Sequence, residues 1–325
     1  MQIEFSQVNW PFISTFRIAY RIQTHAEAVQ VRIRDGSLVG HGEALAVSYH
    51  GETIDSMLAQ LKNLAANMGG SISRADLQLL LPPGGARNAV DCALWDLESK
   101  RAGRRAWELA GFQSVSALVT AYTLGLDTPE SMAKSAAAAR RYTVLKLKLD
   151  GEGDVDRVTA VRVARPDARI IVDANQSWRE RDLYDSIPAL ASLGVELIEQ
   201  PLRAGQDHVL ANFKSTVPLC ADESCQTRLS LPSVIGRYQF INIKLDKTGG
   251  LTEALELARE AQAKDLKLMI GCMAGSSLSM APAFVVGQLC TFVDLDGPLL
   301  SASDVPHPIR YEGSRMYPPE AALWG

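Results

Sequence analysis

"TVLKLKLD" (residues 143–150) sets two lysines two positions apart inside an apolar run. Successive side chains of a β-strand point to opposite faces. Lys146 and Lys148 therefore share one face, and Leu145, Leu147 and Leu149 share the other. Two like charges on one strand face are ordinary where that face meets water. The sequence on either side decides whether they mean more.

Short apolar runs of the same kind recur along the chain. "ALVTAYTLG" (117–125) comes before, and "ARIIVD" (168–173), "VELIEQ" (195–200) and "PLCADE" (218–223) follow. "QFINIKL" (239–245), "LKLMIGC" (266–272) and "TFVDLDG" (291–297) complete a set of eight strand candidates, their ends about 22 to 27 residues apart. Helical stretches lie between them. In "DTPESMAKSAAAARR" (127–141), Thr128 is placed to cap, Pro129 to take the first helical position and Glu130 to favour the helix dipole. Eight β/α units predict a closed barrel of the (β/α)8 type. An open doubly wound sheet is the alternative, weakened by the lack of a glycine-rich turn after the first strand.

Ahead of the repeats, residues 1 to about 50 alternate as strands do. In "AVQVRIRDGSLVGHGEA" (28–44), Asp35-Gly36 is a hairpin signal. Residues 52 to 110 then turn helical. "GARNAVDCALWDLESKRAG" (85–103) puts Val90, Ala93, Leu94 and Leu97 on one helix face, with Gly103 as the stop. An α+β region thus precedes the barrel, and a proline-rich tail from Pro298 onward returns over the surface.

Composition narrows the function. The chain has 325 residues, 47% hydrophobic, with 33 basic and 37 acidic side chains for a net charge of −4. No basic-aromatic run suggests a nucleic-acid partner. Five cysteines without C-x-x-C spacing fit reduced thiols in the cytoplasm. "MQIEFSQVNWPF" (1–12) does not read as an export signal, and no apolar run is long enough to span a membrane. The expectation is a soluble, cytoplasmic protein, with a homo-oligomer as compatible as a monomer.

The polar residues cluster at one place in each unit, the C-terminal end of the strand. They are Lys146 and Lys148, Asp173, Glu199, Asp222, Lys244, and Asp294 with Asp296. A solvated strand end is the commoner reading of any one of them alone. Their appearance in register on consecutive strands points to the barrel edge where active sites are built. Asp173, Glu199 and Asp222 stand on adjacent strands, and three close carboxylates repel unless a cation sits between them. All-oxygen ligation favours Mg²⁺ or Mn²⁺ over Zn²⁺ and leaves positions open for substrate. Lys148 and Lys244, four strands apart, would face each other across that substrate. Lys146 and the metal would disfavour the charged form of Lys148, as a base requires. Two bases on opposite faces of one carbon suit α-proton abstraction beside a carboxylate, with Mg²⁺ stabilising the enolate.

"KLKLD", "IVDAN", "IEQPL", "ADES" and "NIKLDKTGG" together, in order and spacing, resemble the muconate-lactonizing subgroup of the enolase superfamily over essentially the whole chain. The resemblance implies a (β/α)7β barrel, a modified TIM barrel, over residues 115–298. An α+β capping domain would span 1–114 and be completed by 299–325. It also implies Lys148 and Lys244 as the acid/base pair, Lys146 as the partner that tunes them, and Asp173, Glu199 and Asp222 as ligands of one Mg²⁺. Within the subgroup, "VDLDGP" (293–298) is similar to the dipeptide epimerases, in which such a D-x-D holds the α-ammonium of the amino-terminal residue. Asp294 and Asp296 would do so here. In "FRIAYRIQTHAEA" (16–28), Arg21 resembles a capping-domain arginine that meets the side chain of a C-terminal glutamate. "GCMAGSS" (271–277) implies that Cys272, Met273 and Ala274 line the substrate site, with Thr123. The activity implied is L-Ala-D/L-Glu epimerisation on murein-derived dipeptides. The alternatives within the subgroup are o-succinylbenzoate synthase, N-acylamino acid racemase and muconate cycloisomerase. Acid-sugar dehydration is disfavoured, since no histidine follows strand seven and His307 lies beyond strand eight.

Overall fold

A computed structural model describes residues 1–325. It begins with an antiparallel sheet, β1 (Gln2–Ile18), β2 (Arg21–Asp35) and β3 (Leu38–Leu45), in the order β1-β2-β3. The β2–β3 turn falls at Asp35-Gly36, where Gly36 has φ +58°. Three helices pack behind it, α1 (Ile54–Asn67), α2 (Arg74–Leu80) and α3 (Gly85–Ala102). The approach of α3 to the sheet depends on two glycines. A Cβ at Gly40 would stand 2.1 Å from Ala93 O, and one at Gly42 would stand 2.1 Å from Ala89 O. With the backbones this close, Val31, Ile33, Leu61, Val90 and Leu94 close into one core. α3 is buried almost all round because its other side meets the barrel, where Trp95 Nε1 donates to Thr252 Oγ1 at 2.9 Å. Gly103 ends the helix in the left-handed conformation.

The expected first barrel strand, 117–125, divides in two. Leu118–Val119 forms β4 and Tyr122–Leu124 forms β5. The remaining barrel strands are β6 (Val144–Lys148), β7 (Arg169–Asp173), β8 (Val195–Glu199) and β9 (Leu219–Ala221). They continue as β10 (Phe240–Ile243), β11 (Lys267–Ile270) and β12 (Phe292–Val293). Sequence neighbours pair in parallel from β5 to β12, and a Thr120–Val293 bridge joins the two ends. The division of the first strand follows from competing partners. Residues 118–119 pair with β14 (Arg315–Met316) of the tail, itself paired with β13 (Tyr311–Glu312), while Ala121 N donates to Val293 O at 2.8 Å. The 129–138 helix starts as expected, with Thr128 accepting from Ser131 N and Pro129 in the first turn. The chain's end packs on α3: Trp324 Nε1 donates to Cys92 O at 3.0 Å and Gly325 N to Asp96 Oδ1 at 2.8 Å. No helix is long and apolar enough to cross a membrane.

Candidate active site

Strand periodicity places the polar groups. One apolar residue from each strand unit forms a closed layer inside the barrel: Ala121, Val144, Ile171, Leu197, Cys220, Phe240, Met269 and Phe292. Two residues further along, on the same face, stand Thr123, Lys146, Asp173, Glu199, Asp222, Asn242, Gly271 and Asp294. Lys148, Lys244 and Asp296 follow one period later. The intervening residues, such as Leu145, Leu147, Val172, Ile198 and Ile241, face outward into the core shared with the helices. Above the apolar layer the barrel therefore opens into a polar floor, covered by the tip of the β1–β2 hairpin and by residues 45–55. The cavity between them measures about 590 Å³.

The lysines and carboxylates are interlocked. Lys146 Nζ lies 2.7 Å from Glu199 Oε2, 2.7 Å from Asp294 Oδ2 and 3.3 Å from Asp173 Oδ2. Lys148 Nζ donates to Asp173 Oδ2 at 2.6 Å, and Lys244 Nζ to Asp222 Oδ2 at 2.6 Å. Three carboxylates thus surround Lys146. Burial would push Lys146 and Lys244 down, but the neighbouring acids hold both well above the ordinary lysine value. Burial also works on the acids. It is outweighed at Asp173, which Lys148 and Lys146 bring down to about 2, and at Asp222, which Lys244 and Lys247 hold far below its usual range. Burial and the charge of Asp173 push Glu199 up to about 7.

A charge count tests whether a metal fits. Six buried carboxylates (Asp173, Glu199, Asp222, Glu223, Asp294, Asp296) face four buried ammonium groups (Lys146, Lys148, Lys244, Lys247). The formal excess is two negative charges, the complement of one divalent cation. No three acidic, histidine or cysteine side chains are grouped closely enough to hold a metal as they stand. Lysine ammonium groups sit between the carboxylates instead. Glu223 Oε2 and Asn242 Oδ1 are buried without a partner, and Asn242 Nδ2 donates to Glu199 Oε1 at 2.7 Å. A hard cation held by oxygen suits this donor set.

Of the residues singled out in the sequence, eleven line the cavity. They are Lys146, Lys148, Lys244, Asp222, Asp294, Asp296, Arg21, Thr123, Cys272, Met273 and Ala274. Asp173 and Glu199 lie beneath the lysines and outside its lining. Arg21 heads β2 with an exposed side chain. Residues 275–280 lead into the 277–287 helix, which Ser276 caps by accepting from Leu278 N.

Several participants escaped the sequence reading. Lys247 donates to Asp222 Oδ1 at 2.7 Å and to the carbonyls of Cys225 and Asn242 at 2.8 Å each. It sits in "NIKLDKTGG", so the motif itself carried the signal. Gln200 Oε1 accepts from Asp222 N and Ser224 N, with its backbone in the unusual positive-φ region. Glu223 and Tyr49 line the cavity with unpartnered oxygens. Burial, then Asp222 and Asp173, push Glu223 up to about 8. Glu43 of β3 accepts from Trp10 Nε1, Gln30 Nε2 and Ser276 N, tying the first sheet to the loop that follows Cys272.

Residues 1–111 match the family described as mandelate racemase / muconate lactonizing enzyme, N-terminal domain, and residues 130–322 match the enolase C-terminal domain-like family. The chain is 44% identical over 299 residues to an N-acetyl-D-glutamate racemase of Pseudoalteromonas sp, covering 91% of this chain and 95% of that one. It is 41% identical over 310 residues to the L-Ala-D/L-Glu epimerase of Escherichia coli K12, covering 95% and 97%. Among solved structures it is similar to an enolase family member from Agrobacterium tumefaciens with homology to dipeptide epimerases, bound to sodium and L-Ala-L-Glu. That likeness has a TM-score of 0.97 at 44% identity and covers 99% of each chain. A dipeptide epimerase from Enterococcus faecalis, in complex with Mg and L-Leu-L-Tyr, is 28% identical with a TM-score of 0.91, covering 99% of this chain and 98% of that one.

Proposed function

The chain belongs to the mandelate racemase / muconate lactonizing enzyme family of the enolase superfamily, and from that premise we propose that it is an isomerase, a dipeptide epimerase. It inverts the α-carbon of the C-terminal residue of a dipeptide, L-Ala-D/L-Glu by preference, in the turnover of murein peptides in the cytoplasm. The five free cysteines suit that compartment. Residues 115–298 carry the chemistry, and 1–114 with 299–325 form the cap.

The observation that carries the reading is the pairing of two opposed lysines with a buried acidic floor, beside the Asp294/Asp296 pair in the same cavity. Asp173, Glu199 and Asp222 would hold Mg²⁺, which when bound supplies electrophilic stabilisation of negative charge developing on the substrate's α-carboxylate. Lys148 and Lys244 approach the α-carbon from opposite faces. Each must be released from its carboxylate: one lysine, in its neutral form, takes the proton from the first epimer, and the other, as an ammonium, delivers one to the opposite face. Lys146 holds Glu199 and Asp294 in place. Asp294 and Asp296 receive the α-ammonium, and Arg21 receives the glutamate side chain. Thr123, Cys272, Met273 and Ala274 wall the amino-terminal residue.

A second reading, racemisation of an N-acylated amino acid, is favoured by the 44% identity to the Pseudoalteromonas enzyme. The aspartate pair argues for the dipeptide, since an acyl group brings no charge for two carboxylates. A dipeptide library incubated in D2O with Mg²⁺ tests the reading by mass spectrometry. Incorporation of one deuterium into dipeptides ending in glutamate is expected, and its absence from every dipeptide would overturn it.

A further inference from the structure

The amino-terminal subsite, the part of the cavity beside Asp294 and Asp296, has a wall that is held from outside the cavity. Glu43 on β3 is completely buried and is not among the residues lining the cavity. Its Oε2 accepts from Trp10 Nε1 at 3.1 Å and from Gln30 Nε2 at 2.9 Å, one donor from each of the other two strands of the capping sheet. Its Oε1 accepts from Ser276 N at 2.8 Å. Every partner is a donor, the set that an ionised carboxylate satisfies. Burial pushes the group up, and these hydrogen bonds act against it. Burying an acid is costly, and neither the proton transfer nor the metal site uses this one.

The tie from Glu43 ends on a tightly packed turn. Gly275 N donates to Met273 O at 2.7 Å, closing the turn that carries Met273 and Ala274. A Cβ at Gly275 would stand 2.7 Å from Leu45 Cδ1 and 3.1 Å from Glu43 Oε1, and one at Gly297 would stand 2.7 Å from Gly275 O. The turn is therefore wedged between β3 of the cap and the residue that follows Asp296. Met273 and Ala274 pack on Phe12, Ala26, Ala28 and Leu45 of the same sheet. Apolar contacts of this kind are non-directional and leave the turn free to slide along them. The Glu43–Ser276 hydrogen bond is directional and fixes where it stops.

We propose that Glu43 is a positioning residue that sets the size of the amino-terminal subsite. By holding Ser276 N it keeps the 273–275 turn close against Asp296 and Gly297, so that the subsite admits an alanine-sized residue and rejects a longer one. Glu43 touches neither the substrate nor the reacting atoms and acts through the turn. This inference rests on the dipeptide reading and adds to it a residue of the capping sheet that selects the first residue of the dipeptide.

The test compares kcat/KM for L-Ala-L-Glu and for L-Leu-L-Glu, with Mg²⁺ present, in the wild type and two variants. Glu43→Met fills the space without an acceptor. Glu43→Gln keeps an oxygen for the fully buried Ser276 N and turns its nitrogen toward Trp10 and Gln30, whose part-buried donors can reach water instead. The wild type should favour the alanyl dipeptide by about tenfold or more. Glu43→Met should lower that ratio about tenfold, chiefly through KM, with kcat for L-Ala-L-Glu held within about threefold. Glu43→Gln should keep the ratio within about twofold of wild type, although thermal unfolding shows both variants to be less stable. A merely structural role would lower Tm in both and leave the ratio alone. Should Glu43→Met fail to fold, Trp10→Phe with Gln30→Met frees Glu43 from the sheet, leaves its bond to Ser276 and should move the ratio the same way. An unchanged ratio in Glu43→Met, or in that pair, overturns the inference and leaves the dipeptide reading standing. So does a wild type without preference, or an equal loss of preference in the Gln and Met variants. A wild type that turns over neither dipeptide overturns the L-Ala-L-Glu reading and the inference with it.

Discussion

Lys146 and Asp294 form an ion pair at 2.7 Å that joins the end of β6 to the end of β12, on either side of β5. Because Lys146 also contacts Glu199 and Asp173, it couples the acidic floor to the amino-terminal subsite. Lys146→Met removes the one ammonium common to three buried carboxylates. Breaking a buried pair in this way costs about 3–5 kcal/mol, and urea unfolding in the absence of metal should show a loss of that order. A loss below about 1 kcal/mol would mean that the carboxylates are satisfied without it.

The two bases are separable by stereochemistry. Lys148→Ala should abolish α-proton exchange from one epimer of the C-terminal residue, and Lys244→Ala from the other, while the remaining lysine still exchanges its own side. NMR in D2O, starting from each epimer in turn, follows this directly. Either single variant epimerising at near wild-type rate would refute a two-base mechanism.

Metal affinity should depend on pH because Glu199 is pushed up to about 7. A carboxylate must be ionised to bind a cation, so below about pH 7 Mg²⁺ competes with a proton. Affinity should rise roughly tenfold per pH unit there and level off above. Glu199→Gln and Asp173→Asn should weaken Mg²⁺ binding at every pH and lower kcat by several orders of magnitude. Calorimetric titration without substrate measures the first effect. Full turnover in excess EDTA would remove the metal from the account.

Asp246 ties the cap to the barrel by accepting from Leu45 N at 2.9 Å and Asn88 Nδ2 at 3.0 Å, and burial pushes it up to about 6. Its folded-state value therefore exceeds its ordinary one, so the folded protein binds the extra proton. The stability associated with that proton is present at low pH and lost as pH rises through about 6. Asp246→Asn, which does not titrate, should gain on wild type by about 1.4 kcal/mol per unit between roughly pH 4 and pH 6, then run parallel to it. Denaturant unfolding over a pH series reads the difference. Parallel curves throughout would show that Asp246 is ionised in the fold at all these pH values.

Much of the floor was legible because a strand's period is two. Val144, Lys146 and Lys148 show the rule in one strand, and Phe292, Asp294 and Asp296 repeat it in another. An apolar residue closes the barrel, and whatever follows two places later faces the site. The same rule would have found Asn242, whose side chain is less eye-catching than a charge. The split of 117–125 was not legible, since its first half pairs with Arg315 and Met316 almost 200 residues away.

By itself the sequence determined the repeat of strand and helix, the face on which each lysine and carboxylate lies, and the excess of acid over base at one barrel edge. These are local properties, set by alternation along each strand and by the order of the strands. Tertiary structure alone decided which groups pair. Asp294 could have met Thr123, Lys146 or solvent, and Lys146 could have faced Lys148 without carboxylates around it. Those choices depend on distances of an ångström or two between strand ends brought together by barrel closure. They depend too on how deeply the hairpin and residues 45–55 bury them. Coulomb and desolvation energies change steeply over that range, so the charge state of Asp296 or Glu199 is a property of the assembled cavity and of no segment within it.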